Sequence, residues 1–383
     1  MLAIGLFATL CANIFIHGAA FLIPTLQREH GIGLADAGLI SSMAGFGMVL
    51  TLVAWGYGVD RLGERRVLVV GSSLTAAAAL GAAASHSLVT MAGLLFLGGT
   101  AAASSNSASG RLVVGWFGPE QRGLAMGIRQ TAQPLGVGVG ALVIPRVAQS
   151  HGIGAALMVP AAACLLAAAV CAIGVLDPPR PARAQATAGQ LANPYRGSAA
   201  LARIHAVSVL LVVPQSVVWT FALVWLIGER GWAAGSAGAL VMGSQVLGAA
   251  GRIGAGRWSD RVGSRLRPIR AIAVVAGLAM LALAVADAAG TPWSVAVMVA
   301  ASVVTVSDNG LAFTAIAEIA GPFWSGRALG VQNTSQILAG GIAAPVFGAL
   351  IGAAGYPVAF AVCALFPVAA LPLVPSRGVR DST

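Results

Sequence analysis

Two arginines sit where arginine is costly. Arg129 lies in the apolar stretch "GLAMGIRQTAQPLG" at 123–136, and Arg252 in "GAAGRIGAG" at 248–256. A guanidinium in hydrocarbon must face a cavity or a partner, so each is a candidate functional group. Its planar fork matches a carboxylate through two parallel N–H···O bonds, which makes a small organic anion the natural ligand. Arg129 is seven residues beyond Arg122, or roughly 10 Å further along a helix. Gln133 follows it at i, i+4, and the pair has counterparts in Gln332 and Gln336. The alternative for each arginine is a structural ion pair or snorkelling to the interface.

Proton carriers are the second kind of chemistry. Asp308, beside Asn309, lies deep in an apolar run, with Glu318 nearer its end, and either carboxylate can bind a proton or pair with an arginine such as Arg129 or Arg252. His17 completes a stripe with Thr9 and Asn13 at i, i+4, i+8 and titrates near physiological pH when unperturbed. Gln215 and Trp219 form a further i, i+4 pair able to hydrogen-bond and stack on a ligand. Arg111 reads as interfacial, near the end of its run. The substrate-binding set is thus Arg129, Gln133, Asn13, His17, Gln215, Trp219, Arg252, Gln332 and Gln336.

What could position such groups is set by composition. Of 383 residues, 58% are hydrophobic and 9% charged, with a mean hydropathy of +0.87, which places the chain in a bilayer. Runs of about 18–25 apolar residues, long enough to cross as helices, predict twelve spans. They lie near 3–24, 36–57, 67–84, 88–112, 123–147, 154–176, 204–227, 235–256, 270–288, 293–317, 328–352 and 356–374. The first reads as a membrane helix rather than a cleavable leader. All 22 basic residues are arginines, so the Lys-dependent phosphate loop is excluded. The net charge of +10 is a topology signal rather than a nucleic-acid one, because most arginines fall in alternate loops and the tail, including Arg180, Arg183, Arg377 and Arg380. Both termini are therefore expected to be cytoplasmic. Cys11, Cys164, Cys171 and Cys363 lie apart in apolar spans and read as core residues.

The chain repeats itself. "GYGVDRLGERR" at 56–66 and "GRWSDRVGSRL" at 256–266 share Gly56/Gly256, Asp60/Asp260, Arg61/Arg261, Gly63/Gly263 and Arg65/Arg265. "GPEQRGLAMGIRQT" at 118–131 aligns in the same way with "GPFWSGRALGVQNT" at 321–334. Two six-span halves in the same order are a parallel repeat, a known way to build a transporter. The aspartates can accept charge-assisted hydrogen bonds from arginines or helix N-terminal amides, and the glycines permit close helix approach.

These motifs resemble the major facilitator superfamily, whose loop pattern G-x-x-x-D-R-x-G-R-R is matched by Gly56, Asp60, Arg61, Gly63, Arg65 and Arg66 and, in the second half, by Gly256, Asp260, Arg261, Gly263 and Arg265. The resemblance implies an all-α membrane protein of two pseudo-symmetric six-helix bundles, 1–176 and 204–376, with a cytoplasmic linker at 177–203 and a tail at 377–383. It implies that the loop motifs gate the cytoplasmic side, and that the chain is a transporter rather than an enzyme. Gly-Arg before the second motif is similar to monocarboxylate and oxalate carriers. The drug-antiporter branch is matched less well: no acidic residue precedes Glu29, and Leu95 stands where its arginine is expected. The expectation is a monomer in the cell membrane that moves a small organic anion by alternating access coupled to protons, with no metal, cofactor or nucleic acid. The alternative is a proton-driven multidrug efflux antiporter.

Overall fold

The computed structural model describes residues 1–179 and 186–375. Arg180, Arg183, Arg377, Arg380 and the tail at 377–383 lie outside them. In lipid the backbone must bond to itself, and the apolar runs accordingly become helices. The described residues contain no strand. The first half contains α1 (Leu2–Gly18), a 3₁₀ turn at Ala19–Leu22, α2 (Ile23–His30), α3 (Leu34–Leu62), α4 (Glu64–Ala83), α5 (Leu88–Trp116), α6 (Arg122–Arg129) and α7 (Ala132–Gly174). Short α8 (Ala188–Leu191) and α9 (Pro194–Gly197) follow, then α10 (Ala200–Gly228), α11 (Ala234–Val262), α12 (Leu266–Ala288), α13 (Trp293–Val304), α14 (Asn309–Ala320) and α15 (Ser325–Ala370).

Nine segments of the described residues are long and apolar enough to cross a membrane. Two of them, Arg122–Gly174 and Ser325–Leu373, hold two passes each, separated at Gly152 and Gly355, where φ is 81°. α11 supplies the remaining pass; its glycines, serines and Gln245 make it less apolar than the rest. The result is twelve membrane helices. α3 runs past the apolar stretch at 36–57 to Leu62 and is ended by Gly63 at φ 94°, as α11 is ended by Gly263 at φ 64°. Only glycine takes this left-handed backbone without strain, which accounts for one residue of the repeated motif.

Two passes are interrupted where periodicity does not predict it. The helix expected over 123–147 breaks at Gln130–Thr131, and the one over 293–317 breaks at 305–308. In the second case Ser307 bonds back to the Val303 carbonyl (2.6 Å), the kind of local bond by which polar side chains compete with helix geometry.

Contacts divide the chain into two compact units, Met1–Trp116 with Thr131–Leu191 and Gly321–Thr334, and Phe117–Gln130 with Ala192–Ala320 and Ser335–Thr383. In the first, α3 packs on α5, α1 on α7, and α4 on both α5 and α7. Small residues set the spacing: a Cβ at Gly99 would collide with the Ala44 backbone. In the second, α11 packs on α6 and α13, and α14 on α6 and α10. Trp225, Met280, Phe347 and Phe360 centre its apolar core.

Candidate functional site

In the first unit Asp60, in the last turn of α3, reaches the start of α15. Its carboxylate accepts the backbone N–H groups of Gly326 (2.9 Å) and Arg327 (3.2 Å) and the Arg327 Nε (3.0 Å). Those amides have no partner within their own helix, so an anion is favoured there by hydrogen bonding and by the helix dipole. Gly56 lets the backbones meet, since a Cβ there would strike the Gly326 carbonyl. Arg111 of α5 binds Asp60 through Nη1 (3.4 Å), Glu64 through Nε (3.0 Å), Ser325 Oγ (2.6 Å) and the Pro322 carbonyl. It is 4% exposed, buried within the protein near the end of α5. Packing of α4 on α5 places the buried Glu64 beside it, and a charge with that partner no longer needs water.

The second unit repeats this arrangement with changed polarity. Asp260 accepts the N–H groups of Gly123 (3.0 Å) and Leu124 (2.8 Å) at the start of α6, and Gly256 lies against Gly123. Its arginine, however, is Arg265 of the loop (Nη1 to Asp260, 2.6 Å), which also grips Glu318 of α14 through Nη2 (3.1 Å) and Nε (3.3 Å) and donates to the Pro119 carbonyl. In the first unit the motif segment supplies the glutamate, at the start of α4, and α5 the arginine; in the second the motif segment supplies the arginine and α14 the glutamate. Burial opposes the Arg265 charge, but Glu318 and then Asp260 hold it above the usual arginine range. Arg122 adds a second cation to Glu318 at 3.6 Å.

The other motif arginines stand outside these clusters. Arg61 lies over the Tyr57 ring at 4.9 Å. Arg65 is exposed, its N–H donating to Asp177 (2.7 Å) and its Nη2 to the Ala172 carbonyl. Arg261 is exposed and makes no ion pair among the described residues.

Deeper in the second unit lies a buried group of charges. Arg129, at the end of α6, is 2% exposed, donates to Gln130 Oε1 (3.0 Å) and lies over the Phe313 ring at 5.8 Å. Arg252 of α11 is 3% exposed, lies over Trp219 at 5.9 Å and donates to the Gln130 carbonyl (3.4 Å). Its Nε is buried and has no hydrogen-bond partner among the described residues. Asp308, 2% exposed at the break before α14, senses the charge of Arg252 without touching it, and its carboxylate bonds to no other described residue. Close approach assembles the group: a Cβ at Gly127 would lie 2.6 Å from the Arg252 carbonyl oxygen. Beside it runs a chain of amides, in which Asn309 donates to Gln215 (3.0 Å), and Gln336 donates to Asn309 (3.1 Å) and to Ser208 (2.8 Å).

In the first unit the α1 stripe is largely self-satisfied. Asn13 donates to the Thr9 carbonyl (2.8 Å), and Thr9 donates to Gly5 and Ser109. His17 is partly buried, and its ring makes no hydrogen bond to a described residue, although its carbonyl accepts the Ala19 N–H. Gln332 is fully buried. Gln133 is exposed whereas Arg129 is buried, because the break at Gln130–Thr131 ends the helix on which the two were expected to share a face. Sequence reasoning missed the roles of Glu64, Ser325 and Arg327, and it underrated Arg111; a charge inside an apolar run, the signal that marked Arg129, was present there too.

The pattern of the Major Facilitator Superfamily matches residues 5–344. Two proteins from different strains of Mycobacterium tuberculosis, each described as an uncharacterized MFS-type transporter, are 55% identical over 377 residues, covering 98% of this chain and 84% of theirs. Among solved structures, the fold is similar to the proton:xylose symporter XylE (TM-score 0.79, 17% identity, 97% of this chain and 95% of that one). It is similar also to the Escherichia coli fucose:proton symporter FucP (0.73, 19%, 96% and 97%) and to the human organic anion transporter TETRAN (0.76, 16%, 98% and 98%). A family pattern over most of the chain and close relatives over nearly all of it agree with the twelve helices and the repeated loop motif: this multi-pass membrane protein belongs to the major facilitator superfamily of transporters.

Proposed function

We propose that the chain is a proton-coupled symporter of a small organic anion. The observation that carries this is Arg252: a buried guanidinium seated over Trp219 with an unpartnered Nε, near a carboxylate that does not touch it. A cargo carboxylate would supply the missing acceptor, and the second buried cation, Arg129, adds to the positive field. Gln215, Asn309 and Gln336 would bond the rest of the cargo. Asp308 would carry the proton: protonated, it leaves Arg252 to the cargo; ionised, it competes for the same cation. Glu318 is already held by Arg265 and Arg122, so the proton role rests on Asp308, with His17 second. Asp60 and Asp260 would hold the cytoplasmic ends shut and release during alternating access. In this reading a monomer works with bundles 1–176 and 204–376 as its moving bodies, and both termini are cytoplasmic. The likeness to two proton symporters and an organic anion transporter supports the scheme at the level of the fold.

The test is uptake into proteoliposomes with an imposed pH gradient, scanned over small mono- and dicarboxylates. Accumulation driven by an alkaline interior supports symport. Extrusion of a lipophilic cation, with no carboxylate accumulated, would replace this reading with that of a multidrug antiporter.

A further inference from the structure

The arginine-rich end of the first unit contains a groove of about 460 Å³ that no step of the transport scheme uses. Trp55, Leu62, Val70 and Ala172 give it apolar walls, and Arg65 and Arg66 stand among them. Leu62 and Val70 are about half exposed, Leu62 at the end of α3 and Val70 within α4, both helices long and apolar enough to cross a membrane. Trp55 is fixed by its Nε1–H bond to the Thr100 carbonyl (2.6 Å). The charge in the groove is not neutralised by side chains. The Arg66 side chain makes no ion pair or hydrogen bond among the described residues, and the Arg65 guanidinium donates to the Ala172 carbonyl. The nearby carboxylate, Asp177, is taken up by the backbone N–H of Arg65.

We propose that this groove binds one anionic phospholipid, with its phosphate on Arg66 and Arg65 and an acyl chain along Trp55, Leu62 and Val70. Apolar walls with a cationic end match the two parts of a phospholipid, and basic pockets between membrane helices select negative headgroups. The proposal is independent of the cargo.

Native mass spectrometry of the full chain, released from detergent with equal amounts of dioleoylphosphatidylglycerol and dioleoylphosphatidylcholine, tests it. The expected result is one retained phosphatidylglycerol, favoured over phosphatidylcholine by about tenfold, with Arg66→Gln reducing the preference by about fivefold. Val70→Trp fills the groove with both arginines intact and should abolish retention of either lipid. Equal retention of the two lipids by the unsubstituted chain would overturn the proposal, as would full retention by Val70→Trp. Displacement of phosphatidylglycerol by millimolar inorganic phosphate would reassign the arginines to the free ion. If Arg66→Gln fails to fold, the unsubstituted chain and Val70→Trp still decide.

Discussion

Arg252 and Asp308 allow charge and shape to be separated. If the Arg252 fork binds the cargo carboxylate, Arg252→Lys should keep weak uptake, whereas Arg252→Gln should lower it by about a hundredfold, the value of a lost charge-assisted pair. Arg252→Gln also leaves Asp308 without its cation. The chain should lose about 2–3 kcal/mol, less than for a contact ion pair because the two groups do not touch. Adding Asp308→Asn should restore the melting temperature in detergent but not uptake. The same pair of substitutions at Arg129, with glutamine imitating Gln332 of the other half, measures its share; normal uptake by Arg129→Gln would remove it from the site. A third residue-scale expectation concerns coupling. Asp308→Asn alone should still exchange cargo across the membrane but no longer accumulate it against a gradient, and accumulation at the normal level would end its proton role. Arg129, Arg252 and Asp308 were legible because a charge in an apolar run is conspicuous. Glu64 was not, since its meaning depends on α4 packing against α5 and bringing Arg111 to it across 47 positions.

At the scale of elements, the two aspartates proposed as latches are bound at helix starts. Asp60→Asn removes the charge from bonds to the first turn of α15 and should, if the cluster gates, raise cysteine accessibility along the halves of α5 and α14 on the Asp60 side. Unchanged labelling would reduce the motif to a topology signal. Glu64 would still hold Arg111 in that variant, so the protein should remain folded. The exchanged polarity of the units offers a sharper test. Arg111→Glu places a new carboxylate beside Asp60 and Glu64 and should abolish transport, and the double substitution Arg111→Glu with Glu64→Arg, which copies the order of the second unit, should recover part of it. No recovery would mean that the arginine's further bonds to Ser325 and Pro322 matter more than charge order. The long helices were readable because the bilayer dictates their length and apolarity. The breaks at Gln130–Thr131 and 305–308 were not, because neither changes the apolar count, and the second carries a local bond from Ser307 to the Val303 carbonyl.

For the whole molecule, the repeat was the most legible feature, since backbone demands recur in both halves: a left-handed residue at Gly63 and Gly263, and a bare Cα at Gly56 and Gly256. The grouping into units was less so. Phe117–Gln130 and Gly321–Thr334 each cluster with residues of the opposite half of the sequence, which follows from bonds that no run of residues displays.

Both aspartates are held by arginine side chains and also by backbone amides at a helix start. Asp260 recognises Leu124 only as a backbone N–H, as Asp60 recognises Gly326. A conventional substitution at Gly123, Leu124 or Gly326 would therefore register bulk alone and pass over the amide contact itself. The direct probe is an atom swap in the chain: replacing the Leu124 amide with an ester deletes one donor and keeps every side chain.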